Sequence, residues 1–156
     1  MFKNPSLPGS RKMTIKYYED YELGDELGPL VIQASDDQVV EFCETWGNKP
    51  PNRFTSKEIA TETGVGGPIV PGIMSMALVA ELFNECGGSQ NVMDIDVVFR
   101  ASVPHNSPLY ISGTITDTRE EEGKYLLECD LLMTDGESKR YVIGTALISL
   151  PSNSNI

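Results

Sequence analysis

Pro71-Gly72-Ile73-Met74-Ser75-Met76-Ala77-Leu78-Val79-Ala80-Glu81-Leu82-Phe83-Asn84 is the stretch on which the fold turns. Wound as a helix, it places apolar side chains on nearly every side, and such a helix belongs inside something. Pro71 fits a first-turn position, where no N–H is needed. Gly87-Gly88 supplies the stop. The chain beyond that stop reads as strands. Met93, Ile95, Val97 and Phe99 alternate with Asp94, Asp96, Val98 and Arg100, a period of two. Residues 108–119 alternate as well, with Leu109, Ile111 and Ile115 on one face. Tyr125, Leu127, Cys129, Leu131 and Met133 form the next strand, and residues 141–150 close the set before Pro151. Residues 120–123 and Asp135-Gly136 have the composition of hairpin turns. One apolar helix succeeded by antiparallel strands predicts an α+β domain, an antiparallel sheet wrapped around a central helix.

Upstream, the apolar run 27–34 is interrupted by Gly28-Pro29, and its second half reads as a strand. Ser35-Asp36-Asp37-Gln38 has capping-box form. It predicts a helix to about Trp46 with Val39, Phe42, Cys43 and Trp46 on one face. Residues 47–51 form a loop, Ser56 caps a short helix to about Thr63, and Gly64, Gly66, Gly67 and Pro68 form another loop. There is no internal repeat and no dividing linker. The organisation expected is a flexible N-terminal tail over 1–16, one domain over 17–151 and a C-terminal tail over 152–156. Met13 is a second candidate for the start codon.

With 40% hydrophobic and 22% charged residues, the chain has an ordinary globular balance. No apolar run approaches the ~20 residues a membrane span needs. Residues 1–12 lack the apolar core of a secretory signal. The three cysteines, Cys43, Cys86 and Cys129, have no metal-ligand spacing, and His105 is the one histidine. An odd cysteine count without a secretion signal points to reduced thiols in the cytoplasm, with neither zinc nor another cofactor. A net charge of -11 argues against nucleic acid and anionic membranes as partners.

Four segments, taken in order, carry a resemblance: 19–25 (EDYELGD), 68–74 (PIVPGIM), 98–104 (VFRASVP) and 144–151 (GTALISLP). Their order and spacing are similar to the MaoC-like domain of the (R)-specific enoyl-CoA hydratases and acyl dehydratases, over roughly 18–151. The resemblance implies a hot-dog fold, an acyl-CoA thioester as ligand, and pairing of subunits. In that family Gly-Asp-x-Asn-Pro-x-His supplies an Asp and a His that activate water for addition to an enoyl thioester. The matching stretch is Gly47-Asn48-Lys49-Pro50-Pro51-Asn52-Arg53. Asn48 stands for the Asp, Arg53 for the His and Pro50 for the Asn. Pro71 replaces the family's helix-start His.

Those replacements decide the chemistry expected. Hydration needs one group to take a proton from water and another to give one to the substrate α-carbon. An amide has no useful basicity, and Arg53 remains protonated. General acid–base catalysis is worth ~10²- to 10⁴-fold, so most of the rate should go with the pair. Binding groups survive. The resemblance implies that the Gly72 N–H, at a helix start between Pro71 and Ile73, meets the thioester carbonyl, and free N–H groups at such a start favour negative charge. Arg53 suits a substrate carboxylate or CoA phosphate. In structural roles instead, Asn48 would cap a turn, Arg53 would pair with a surface acid and Gly72 would permit close packing.

Two functional classes are compatible with these residues. One is a subunit without the Asp/His pair that binds acyl-CoA or supports an active relative, as a homodimer or a heterodimer with a related hot-dog chain. A single sheet leaves an unpaired edge that needs covering. The other is an active hydratase or dehydratase whose catalytic residues have moved, with Asp36, Asp37, Glu58 and His105 as candidates. A thioesterase is a weaker enzyme alternative, since Glu81 is the first acid after Ile69. In the non-catalytic reading His105 is a solvated loop histidine.

Overall fold

A computed structural model describes residues 15–155. Of the tail expected over 1–16, residues 1–14 lie outside the described residues, as does the alternative start at Met13.

Ser35 opens the first helix, α1 (Asp36–Trp46), as its sequence requires. Its hydroxyl accepts from the Gln38 N–H while the Gln38 side chain accepts from the Ser35 N–H. Gly47 ends α1 in the left-handed conformation. Ser56 caps α2 (Lys57–Glu62). The helix read from Pro71 to Asn84 is two elements: α3 (Gly72–Ala80) and a 3₁₀ segment, Glu81–Cys86. The tighter winding has a side-chain reason, because residues three apart eclipse one another in a 3₁₀ turn. Phe83 and Cys86 thereby stack inward, both fully buried, while Asn84 donates to Glu81 at 2.7 Å outside. Pro71 stands one position earlier than expected. It is the extended N-cap rather than a first-turn residue.

The sheet has five strands, all antiparallel, in the order β1-β3-β4-β5-β2. They are β1 (Glu26–Ile32), β2 (Val92–Phe99), β3 (Leu109–Glu121), β4 (Lys124–Thr134) and β5 (Arg140–Leu150). The expected α+β architecture is therefore present. The strand expected in the second half of 27–34 is longer. It begins at Glu26 and passes through a bulge at Gly28-Pro29, between Leu27 and Leu30. Glycine is needed there: φ is +79°, and a Cβ would lie 2.7 Å from the Ile111 carbonyl oxygen.

One face of the sheet makes the core. Leu109, Ile111, Leu127, Cys129, Met133, Val142 and Ile148 are buried against Val39 and Cys43 of α1, Met74 and Val79 of α3, and Phe83. Strand alternation thus sorts β3, β4 and β5 as the sequence predicts, whereas on β2 Met93, at the register shift between Val92 and Asp94, and Phe99 are exposed instead of sharing the half-buried face of Ile95 and Val97. The central helix is covered on one side only. Ile73 is 50% exposed and Ala77 is exposed, because the sheet reaches one stripe of α3 and nothing among the described residues covers the opposite one. Residues 152–154, expected in a C-terminal tail over 152–156, are held to the domain. Ser152 is buried, its hydroxyl donates to Glu19, and the Asn153 N–H donates to the same carboxylate at 3.1 Å. These partners pull Glu19 down to about 2 from an ordinary value of 4.5, the Ser152 hydrogen bond most of all.

Candidate functional site

Asn52 organises the loop after α1. Its side chain donates to the Asn48 carbonyl at 2.8 Å and accepts from the Phe54 N–H at 2.9 Å. Its own N–H donates to the Thr55 hydroxyl, and its carbonyl accepts from Ser56. The turn-holding role considered for Asn48 belongs to Asn52. Phe54 is buried and anchors the loop against Trp46, ring centroids 6.3 Å apart. Arg53 is exposed, its guanidinium 4.9 Å from the Phe54 ring centre.

A second piece of backbone brings the start of α3 to the same place. The Val70 N–H donates to the Val103 carbonyl at 2.8 Å, and Ile69 bridges Pro104. These links fasten Pro71-Gly72 beside the segment that leaves β2. The Phe99 ring lies on Gly72, where a Cβ would meet it at 3.2 Å. The Arg100 N–H donates to the Tyr141 carbonyl at 2.8 Å, which holds the backbone of that wall.

Between the two pieces lies a cleft of about 410 Å³. Arg53, Gly72, Phe99, Arg100, Ser102 and Trp46 line it, with apolar neighbours. No Asp, Glu or His does so among the described residues. Among those residues, too, no carboxylate comes within 4.0 Å of either arginine. The surface acid expected in a structural role for Arg53 is therefore not found among the described residues. The cleft can bind an anion and an apolar group. Among the described residues its lining has no side chain suited to taking a proton from water.

No family model matches the chain, and no curated protein matches it. Solved structures do. The (R)-hydratase from A. caviae involved in PHA biosynthesis is 19% identical, with 85% of this chain and 99% of that one covered, at a TM-score of 0.73. The MaoC-like dehydratase from Rhodospirillum rubrum is 14% identical, with 88% and 97% covered, at 0.73. The ChsH1-ChsH2 complex from Mycobacterium tuberculosis is 14% identical, with 83% and 98% covered, at 0.71.

The chain has the MaoC-like hot-dog fold.

On this hot-dog scaffold the five residues singled out from sequence part company. Arg53 and Gly72 share the cleft. Asn48 is exposed and does not line it. Pro71 is buried, its carbonyl accepting from the Ser75 N–H at 2.9 Å and the Ser75 hydroxyl at 3.2 Å. Ile73 faces outward, away from the lining. Sequence reasoning missed Arg100, Ser102, Phe99 and Asn52. For Arg100 a signal was present: it continues the polar register of β2 just where the strand ends.

The alternative candidates separate too. His105 Nδ1 lies 2.8 Å from Asp36 Oδ1, and Asn106 donates to the same oxygen at 3.0 Å. The His105 hydrogen bond is the main reason that the Asp36 carboxyl is held below its usual range. His105 is not the solvated loop residue expected. Its side chain is 8% exposed, and among the described residues its buried Nε2 has no partner. Asp37 and Glu58 remain on the surface. Glu81 lies beside the β1 bulge in a different hollow. The cysteines are buried thiols, and desolvation pushes Cys129 up to about 12 and raises Cys86. The thiols of Cys86 and Cys129 therefore stay protonated near neutral pH and are poor nucleophiles.

Proposed function

We propose that this chain is an acyl-thioester-binding subunit of the hydratase/dehydratase kind that lacks the Asp/His pair. One observation carries the reading: Arg53 and the Gly72 helix start share a cleft whose described lining contains no proton-transferring side chain. A thioester oxygen suits the N–H groups that open α3, and Arg53 suits an anionic part of the same ligand. The subunit works in the cytoplasm as a homodimer or beside a related hot-dog chain that supplies the missing pair. The two-chain ChsH1-ChsH2 complex among the structural neighbours supports such a pairing.

Purified protein should therefore bind butyryl-CoA in calorimetry and leave crotonyl-CoA unhydrated. No binding at millimolar concentration, or a turnover on the order of 10 per second, would overturn the reading. A second reading, an active hydratase with moved residues, is favoured by the His105–Asp36 contact. An aspartate that orients Nδ1 leaves Nε2 to exchange protons. In that case hydration is measurable and His105→Gln abolishes it. The buried position of Nε2, away from the lining of the cleft, weighs against this reading.

A further inference from the structure

Charge is distributed unevenly among the hollows of this surface. The groove on the outer face of the sheet has Arg140 but also Asp96 and Asp130. The hollow beside the β1 bulge has Glu81 and Glu85, and the groove between α1 and α3 has Glu41. The cleft at Gly72 is the opposite case, with two arginines in its lining and no acid among the described residues. In a chain with 23 acidic and 12 basic residues, carboxylates are abundant, and Arg119 alone is held by Asp117, Glu121 and Glu128. Arg53 and Arg100 nevertheless face one hollow without a carboxylate within 4.0 Å among the described residues.

We infer that Arg53 and Arg100 form an oxyanion-binding pair. The ligand of this cleft then carries a carboxylate or a phosphate in addition to its thioester. The inference rests on the thioester reading and names a second charged contact for it. Two arginines in the lining of one hollow raise its potential and draw in an anion that a net charge of -11 would otherwise repel. Each guanidinium offers a planar fork of donors matched to carboxylate and phosphate oxygens. Their supports differ. Arg53 rests on Phe54, and Arg100 comes directly after an edge strand, its backbone tied to Tyr141. Trp46 and Phe99 supply apolar wall for the uncharged part of the ligand. The oxyanion has two sources, the phosphates of CoA or a carboxylate on the acyl group.

Calorimetry on the full chain separates them with butyryl-pantetheine, which has neither, succinyl-pantetheine, butyryl-CoA and inorganic pyrophosphate. The readout is the affinity for a charged ligand divided by that for butyryl-pantetheine, which is insensitive to a partly inactive sample. Wild type should prefer at least one charged thioester by roughly ten-fold or more. Arg53→Ala and Arg100→Ala should each collapse that ratio by about ten- to a hundred-fold, and Arg100→Lys by less. Raising salt should shrink it. A preference for butyryl-CoA assigns the pair to phosphate, and a preference for succinyl-pantetheine assigns it to an acyl carboxylate. Butyryl-pantetheine binding with no gain from any charge would overturn the pair and leave the thioester reading standing. Pyrophosphate binding that depends on both arginines, without binding of any thioester, would uphold the pair and remove that reading. No binding of any probe would overturn both.

Discussion

Gly144→Ala is a sharp test of how the wall of the cleft is held. Gly144 lies on β5 opposite Val97 of β2, and β2 leads into Phe99 and Arg100. A Cβ built there would sit 2.1 Å from the Asp96 carbonyl oxygen and 2.9 Å from the Val97 Cα. These are backbone atoms, which cannot rotate away as a side chain can. The strands must part by roughly 1 Å to restore van der Waals separation. Overpacking of this kind costs ~1–3 kcal/mol, and each ladder hydrogen bond weakened adds up to ~1 kcal/mol. The gain from restricting the unfolded chain, ~0.4–1 kcal/mol, offsets part of it. The position of β2 at an edge, paired to β5 alone, lets it yield rather than break the core. With one ladder bond weakened, the net loss is about 1–3.5 kcal/mol, or roughly 2–14 °C in Tm for a chain of this size. Urea unfolding monitored by circular dichroism measures it. Gly66→Ala serves as control, since nothing lies within 4 Å of its Cβ position. Butyryl-CoA affinity should fall with stability in Gly144→Ala, because β2 carries the wall. A variant within about 0.5 kcal/mol of wild type, the range of an ordinary surface change, would refute the claim that glycine is required by the approach of β2.

Two further outcomes are expected. Glu19, lowered from 4.5 to about 2 chiefly by the Ser152 hydroxyl, contributes stability that is fully present above its unfolded value and is lost as pH falls through about 2. Carbon-detected NMR titration should place its midpoint near the lower value, and a midpoint near 4.5 would show that residues 152–154 do not hold it. Sedimentation at micromolar concentration should give at least a dimer, since β2 is an edge strand with Met93, Val98 and Phe99 exposed and Ile73 lies open on α3. A monomer at that concentration would count decisively against subunit pairing.

The amino-acid sequence by itself determined the elements whose causes are local. Ser35 with Gln38 starts α1, Gly47 and Gly87 stop their helices, and two-residue alternation sorts β3, β4 and β5 into a buried and an open face. Caps and periodicity act over a few residues, so they can be read without knowing where the chain goes next. The same physics exposed the loss of proton-transfer chemistry at Asn48 and Arg53, because an amide and a guanidinium lack it wherever they stand. Only the tertiary structure decided which of these residues meet. Gly72 shares its cleft with Arg100 because Val70 pairs with Val103 and carries the start of α3 to the end of β2, and Arg53 joins them from the loop that Phe54 anchors against Trp46. Asn48 misses that cleft because Asn52 turns the loop around it. His105 meets Asp36 across 69 residues of chain, through Asn106 bonded to the Ala34 carbonyl and to the Asp36 N–H. The Gly72–Arg100 and His105–Asp36 meetings depend on sheet register and loop path, which are settled by packing of distant segments and leave no period in the sequence.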